Sequence, residues 1–352
     1  MAGIRHHILP RFLLRGFASK VIGDQTFTWV YRKEGKVFES NIINVAVERY
    51  FYGKDGELSV DDEITEIEKT FAPLLTSLRR EEDGYDIVDP KISEFVGHLT
   101  SRTKHLRDSF IDSTGFLLNT LFGFLADKKN FNEFLLEYYK RHPEVIRQAL
   151  DNALARMSLD RYQRRRLKSL MLSLLTPEII AAQIEQESSE YSFMFKALGP
   201  MLLEKLPTLV AEGQIKTLAK SLIAEPRVDN YRQLRWHVRK SEKSLILGDV
   251  GCLFEVRGAK RFKSLTDKDD EIVAAYVPIS SDTMVVGTNS SEVSQSHFGE
   301  INKTFAMCSR EFFVCRESSE DVRILLLSIG AEAEIISHEE LRQLVKEIIL
   351  EA

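Results

Sequence analysis

Twice along this 352-residue chain the period of the apolar residues changes, and that double switch limits the architecture more than any single motif. From about residue 59 to 224 apolar side chains recur every three or four positions, as on helices. On either side they fall in short β-branched and aromatic runs, as on strands. Ile64, Ile67, Phe71, Leu74, Leu75 and Leu78 open the helical block, with acidic residues ahead of them. Pro73 is expected to bend or divide that first helix. Asp89-Pro90 supplies a cap and a first-turn proline for a long helix through Phe95, Leu99, Leu106 and Phe110. Asn130-x-x-Glu133 and Thr176-Pro177 are further start signals, and Pro143, Gly199-Pro200, Pro207 and Pro226 punctuate the rest. Roughly six to eight helices are expected between residues 60 and 224.

Before the block, residues 26–31 (TFTWVY) read as a strand, 33–36 as a turn around Gly35, and 37–40 as the returning strand. Residues 42–52 are apolar and end at Gly53, with a turn at 54–56. After Pro226, strands are expected at 234–238, 245–247, 252–256, 272–277, 284–286 and 312–315, with a short helix at 302–309. Ser337-x-x-Glu340 caps an amphipathic closing helix through Leu341, Leu344, Val345, Ile348 and Ile349. Neither β portion is large enough to stand alone. The expected architecture is therefore one α+β domain over 1–352. Its N-terminal motif and β segment (1–58) and its β-rich segment with a C-terminal helix (225–352) would form one sheet, with the helical block (59–224) inserted between them.

Formal net charge is −5, so no global basic field recruits nucleic acid. Charge is uneven, however: residues 225–263 carry ten Lys/Arg against five Asp/Glu, and 264–352 carry seven against seventeen. Cys252, Cys308 and Cys315 are odd in number and form no CxxC pair, which fits a reduced, cytoplasmic protein. Arg5, Arg11 and Arg15 interrupt any apolar leader, and no apolar run approaches the ~20 residues of a membrane span, so no membrane partner is expected.

Four groups of residues could carry chemistry. His6-His7 sits in RHHILPRFLLRGF, an N-terminal run too apolar for a loose chain end. On an extended chain the two rings point to opposite sides, so one could enter a site as acid, base or metal ligand while the other holds backbone. Next come His98, Arg102 and His105, four and three apart, which would share one face of the helix opened by Pro90. An arginine beside an apolar stripe demands a partner or an anion. Asp249 follows an apolar strand in a glycine-flanked turn, where loops commonly present functional carboxylates. Finally, Arg161, Arg164, Arg165 and Lys168 form a basic helical run, and Arg235 and Arg239 another around Trp236; cations interleaved with aromatics suit phosphate contact and base stacking. Walker loops, GxGxxG, HExxH, GxSxG and paired-cysteine metal motifs do not occur.

With these residues in view, the chain resembles the bacterial family called domain of unknown function 4238. The signature is His6, His7, Pro10, Phe12, Leu14 and Phe17, continuing in Trp29-Val30-Tyr31 and residues 44–52. It goes on through Phe95-Val96-Gly97, Arg102-Thr103, Arg107, Gly248-Asp249-Val250-Gly251, Pro278-Ile279-Ser280 and Asn302. Two departures stand out: the serine and asparagine usual beside the aspartate are absent around Asp249, and Lys104 replaces the usual proline. The resemblance implies that His6, His7, Arg102, Arg107 and Asp249 converge, a set suited to handling phosphate. The leading expectation is a phosphodiesterase or nuclease, as a phage-defence or toxin effector. His6 or His7 would be the base or ligand of a divalent metal, Asp249 would orient it, and Arg102 and Arg107 would hold the phosphate. The alternative is a non-catalytic sensor or partner-binding module in which the same cluster is structural. The partner would be nucleic acid or protein; the sequence leaves the oligomeric state open.

Overall fold

The structure, a computed structural model, describes residues 5–53, 60–223, 225–258, 261–289 and 300–351; the turn expected at 54–56 lies outside them. The chain is α+β and divides into two compact units, residues 1–110 with 209–335 and residues 111–208 with 336–352.

The first unit carries the strands, arranged in three sheets among the described residues. Gln25–Arg32 pairs with Val37–Asn41 as the expected hairpin, setting Trp29 opposite Glu39. The same strand pairs with Phe312–Cys315, which pairs in turn with Ile246–Gly248. N- and C-terminal strands thus share one ladder. The expectation of a single sheet needs correction nonetheless. Arg235–Lys240, Leu253–Val256, Ile272–Pro278 and Thr283–Thr288 belong to a separate six-stranded antiparallel sheet, ending in Phe262–Lys263 on one side and Asp86–Ile87 on the other. Thr283–Thr288 is buried throughout and Ile272–Pro278 nearly so, so this sheet must be covered on both faces. The N-terminal hairpin is only half-buried and could not extend such a layer. Arg5–His7 and Val47–Arg49 form a third, two-stranded ribbon.

Seven described helices lie between residues 60 and 220: Val60–Leu78, Lys91–Ser101, Lys104–Ala126, Lys128–Arg141, Pro143–Ala155, Arg161–Leu174 and Pro177–Lys220. Pro73, Pro200 and Pro207 all lie inside helices rather than dividing them. Buried anchors such as Phe71 and Leu75 flank Pro73, and their packing outweighs the lost hydrogen bond. The start read at Asn130 belongs three residues earlier, where the Asp127 carboxylate accepts from the Asn130 N–H at 2.9 Å. The single helix read from Pro90 through Phe110 is two. Arg102 leaves helical geometry at φ −105° and ψ 0°, and the Thr103 hydroxyl accepts from the Leu106 N–H at 3.1 Å to start the next. That next helix, Lys104–Ala126, is long and apolar enough by length and composition to cross a membrane, contrary to the reading that no run approaches this length; charges in its first turns obscure the pattern.

Leu9, Phe12, Leu13, Leu14 and Phe17 are all buried in the main core with Tyr31, Phe95, Phe254 and Phe313, so the N-terminal motif is tied in as its composition suggested. Each such side chain contributes about 1.5–3 kcal/mol by burial. Arg79 fastens the segment further, donating to the carbonyls of Phe12 and Ile279 at 2.8 Å each. The second unit buries Phe131, Leu150, Leu154, Ile184 and Leu206, with Leu341 and Val345 of the closing helix, His338–Glu351. The capping box at its start forms: the Ser337 N–H donates to Glu340, and the Glu340 N–H to the Ser337 hydroxyl.

Candidate functional site

In Arg5–His7 the alternation of an extended strand sends His6 into the protein and leaves His7 half-buried on the other side. His6 Nδ1 accepts from the Tyr52 N–H at 2.9 Å, and its ring stacks on the Tyr52 ring with centroids 5.4 Å apart. Its proton therefore sits on Nε2, which is enclosed without a partner among the described residues. Burial, reinforced by Arg11 and Arg102, drives the His7 pKa down to about 4, so His7 is neutral at physiological pH.

Arg102 sits at the break between two helices and is 1% exposed. Its Nε donates to the Tyr52 hydroxyl at 3.0 Å; its other nitrogens donate to Glu68, to the His7 carbonyl and, at 3.1 Å, to His98 Nε2. Because arginine only donates, His98 Nε2 must accept, and the ring proton lies on Nδ1, aimed at the Leu222 carbonyl at 3.1 Å. Burial, with Arg102 beside it, holds the His98 pKa down at about 3. Two of the three residues expected to share a helix face thus meet. His105 turns elsewhere and bonds the Ser264 hydroxyl at 3.1 Å. Arg107 stacks 3.5 Å from the Phe51 ring centroid and donates to Gln214 at 2.7 Å and to the Phe51 carbonyl at 2.8 Å.

Asp249 follows its strand as expected, in a turn closed by the Gly251 N–H on the Gly248 carbonyl at 3.0 Å. Gly251 takes φ +76°, where a Cβ would also press within 3 Å of Leu99. The Asp249 carboxylate accepts from the backbone N–H groups of Arg310, Glu311 and Phe312 at 2.9, 2.7 and 3.2 Å. Burial raises its pKa to about 6 against the pull of those bonds.

Asp249 also lines a cleft of about 220 Å³ with Ile8 and Leu9, the residues that follow the histidine pair; neither His6 nor His7 lines it. Its wall carries Arg32, Lys104 and Arg310 against Glu48, Asp108, Asp249 and Glu311. Lys104 is the hub, bonded to Asp108 and to Glu311 at 2.7 Å, with Glu48 at 3.8 Å. Burial opposes its charge, but the two carboxylate bonds prevail and raise its pKa. Burial, then the nearby Asp108 and Glu311 carboxylates, raises that of Glu48. Of the charged cleft residues only Asp249 stands out in the sequence by its own chemistry; Lys104 does so as a departure from the family's proline, and Glu48 only as part of the matched stretch 44–52. Tyr52 closes that stretch with no chemical signal of its own, and Glu68 carries none.

The expected nucleic-acid residues fall in different units. Arg161, Arg164, Arg165 and Lys168 lie on Arg161–Leu174, a helix with no buried residue, where Lys168 pairs with Asp151. Arg235 and Arg239 lie on a strand of the first unit, and Arg239 bonds Asp83 at 3.0 Å. Among the described residues no group of three or more His, Cys, Asp or Glu is placed to hold a metal ion, and all three cysteines are buried as free thiols.

The fold and the site define an α+β protein built on a buried His–Arg–Tyr–Glu network with a charged cleft alongside. The chain belongs to the DUF4238 family, described as a protein of unknown function, whose match covers residues 5–322. No curated protein and no solved structure matches it.

Proposed function

We propose that this chain is a non-catalytic recognition module, a sensor or partner-binding protein. The histidine–arginine cluster holds the N-terminal segment, and the charged cleft takes a small polar ligand. Arg102 carries the reading. Catalysis on a phosphodiester needs donors aimed into space that the substrate can enter. The Arg102 guanidinium is enclosed and bonded to Tyr52, Glu68, His98 and the His7 carbonyl. Arg107 is committed to Gln214 and Phe51, and Asp249 to three backbone N–H groups. The cleft, by contrast, sets Arg32, Lys104 and Arg310 against the Glu48, Asp108 and Glu311 carboxylates around open space, which suits a small ligand carrying both signs, such as a free amino acid. The test joins an assay for cleavage of RNA and DNA, with and without magnesium or manganese, to melting curves over a panel of free amino acids. The expected result is no cleavage, and a stabilisation by at least one amino acid that Lys104→Met abolishes. Cleavage that is lost in a folded Arg102→Lys protein would overturn the reading in favour of a phosphodiesterase.

A second reading concerns a nucleic-acid partner, and a separate observation favours it. The Arg161–Leu174 helix presents Arg161, Arg165 and Arg166 without ion pairs among the described residues, beside Tyr162 at 73% exposure. Free cations next to a free aromatic ring suit single-stranded phosphate and base stacking. Binding to single-stranded RNA or DNA should weaken steeply with salt and vanish in Arg164→Glu/Arg165→Glu with the melting temperature unchanged. Absence of binding by the unmodified protein at low salt would retire it.

A further inference from the structure

A second concavity of the first unit, separate from the charged cleft, has the opposite chemistry. It measures about 780 Å³, lies between the start of Lys104–Ala126 and the end of Pro177–Lys220, and is walled mainly by apolar groups including Leu106, Phe110, Val210, Leu218 and Ile223. Phe110, half exposed, is part of this contiguous apolar lining, the kind of patch that marks a binding groove. The groove is kept open by a glycine. A Cβ built on Gly213, on the lining, would meet nothing within 4 Å, so the helix is bare where a side chain would fill the space.

The polar lining is one-sided. Arg107, Lys220 and Arg227 border the groove, and among the described residues no aspartate or glutamate does. Arg107 is partly buried, yet its hydrogen bonds go only to neutral groups, the Gln214 amide and the Phe51 carbonyl. Burial lowers its pKa, opposed by the nearby Glu48 and Asp108 carboxylates. Lys220 and Arg227 make no ion pair among the described residues. Lys220 and Arg227, with no carboxylate paired to them among the described residues, favour an anion beside them. Val210 and Lys220 are ten steps apart on the helix, about 15 Å, a length that an extended chain of about twelve carbons matches.

We propose that this groove binds a single-chain anionic amphiphile, its hydrocarbon chain lying along Phe110, Leu106 and Val210 and its head group meeting Lys220 and Arg227. The apolar wall supplies the affinity and the cations supply the preference for an anion. A cavity of this size encloses a small amphiphile, within the usual few hundred to ~1,000 Å³ of ligand sites. The site is independent of the reading proposed for the charged cleft.

The experiment is calorimetric titration of the full chain with dodecanoate below its micellar concentration, beside dodecyl phosphate, dodecanol and dodecyltrimethylammonium. Dodecanoate or dodecyl phosphate should bind one to one, about tenfold tighter than dodecanol, and the cationic amphiphile not at all; the tighter of the two anions identifies the head group. Gly213→Leu, which fills open space and favours the helix, should abolish binding with no loss of melting temperature. Lys220→Gln/Arg227→Gln should bring dodecanoate to the affinity of dodecanol, and Lys104→Met should change nothing. Equal binding of all three head groups, undiminished binding in folded Gly213→Leu, or association only with anionic vesicles and not with monomeric amphiphile would each overturn the proposal.

Discussion

Arg102 and Lys104 stand two residues apart at one helix junction and illustrate opposite uses of a cation. Arg102 is enclosed, bonded to one carboxylate and three neutral groups, and every bond ties the N-terminal segment or the neighbouring helices together. Lys104 is partly open and faces three carboxylates across a cleft. A cation whose partners are exhausted within the fold holds structure. One that faces surplus opposite charge beside open space can exchange a partner for a ligand at small cost. The difference is in enclosure, since both residues carry the same charge.

The largest expected effect sharpens that contrast at its enclosed end. Arg102→Ala leaves Glu68 partly buried without its cation, removes the partner of His98 Nε2, and leaves the Tyr52 hydroxyl and the His7 carbonyl only their 3.4 Å bond to each other. Removing one partner of such a pair costs about 3–5 kcal/mol. Urea denaturation should register that loss, and amide exchange at residues 5–7 and 47–52 should accelerate. The catalytic reading of the same arginine expects a protein that folds close to normally, so an unchanged denaturation midpoint would favour it.

Next comes pH, where the shifted histidines and Asp249 pull in opposite directions. His98 is held neutral with a pKa of about 3, whereas the unfolded chain takes up that proton near 6.5; the stability it provides is complete above about 6.5 and is lost as pH falls toward 3. His7, lowered to about 4, acts with the same sign. Asp249, raised to about 6, does the reverse. Its ionised form is disfavoured in the fold, so it weakens the protein above about 6 and relieves it as pH falls from 6 toward 4. Between pH 6 and 4 the Asp249 contribution offsets part of the loss from the two histidines. Asp249→Asn removes the compensating carboxyl, and stability should then fall more steeply with acid, by up to about 1.4 kcal/mol per pH unit. Denaturation at pH 7, 6, 5 and 4 measures the slopes; parallel curves for the two proteins would show that Asp249 is not the opposing group.

Local signals account for what was legible in the sequence. The double change of period is written in side chains three, four or two apart, so the α+β class, the N-terminal hairpin and the closing helix with its Ser337 box could all be read. The separate six-stranded sheet could not, because pairing is a long-range choice: the helical block contributes Asp86–Ile87 to its edge, a strand two residues long. For the site, His6, His7, Arg102 and Arg107 were visible as polar residues in apolar company. Their partners Tyr52, Glu68 and Gln214 are brought in from 50, 34 and 107 residues away and had no distinguishing pattern of their own. Asp249 was legible as a strand-end carboxylate. That its bonds go to the backbone of 310–312 depends on the pairing of Ile246–Gly248 with Phe312–Cys315, and no local pattern encodes that register.

The smallest stability effect belongs to the open cation. Lys104→Met keeps the aliphatic stem in place and removes only the ammonium group of a partly exposed side chain. The loss should be no more than about 1 kcal/mol, well below that of Arg102→Ala, since partly exposed ion pairs contribute little. The electrostatic consequence should nevertheless be large. Lys104 is the principal group opposing the upward pull on Glu48 from burial and from the Asp108 and Glu311 carboxylates. Without it Glu48 should titrate at still higher pH, which carbon-detected NMR of the side-chain carboxyl can follow. Because the Glu48 pKa is raised, the stability loss should also be greater at pH 8 than at pH 5, where part of Glu48 is protonated. A Lys104→Met protein as unstable as Arg102→Ala, or a Glu48 titration that does not move, would mean that Lys104 is structural too. The charged cleft would then lose its claim to be a ligand site.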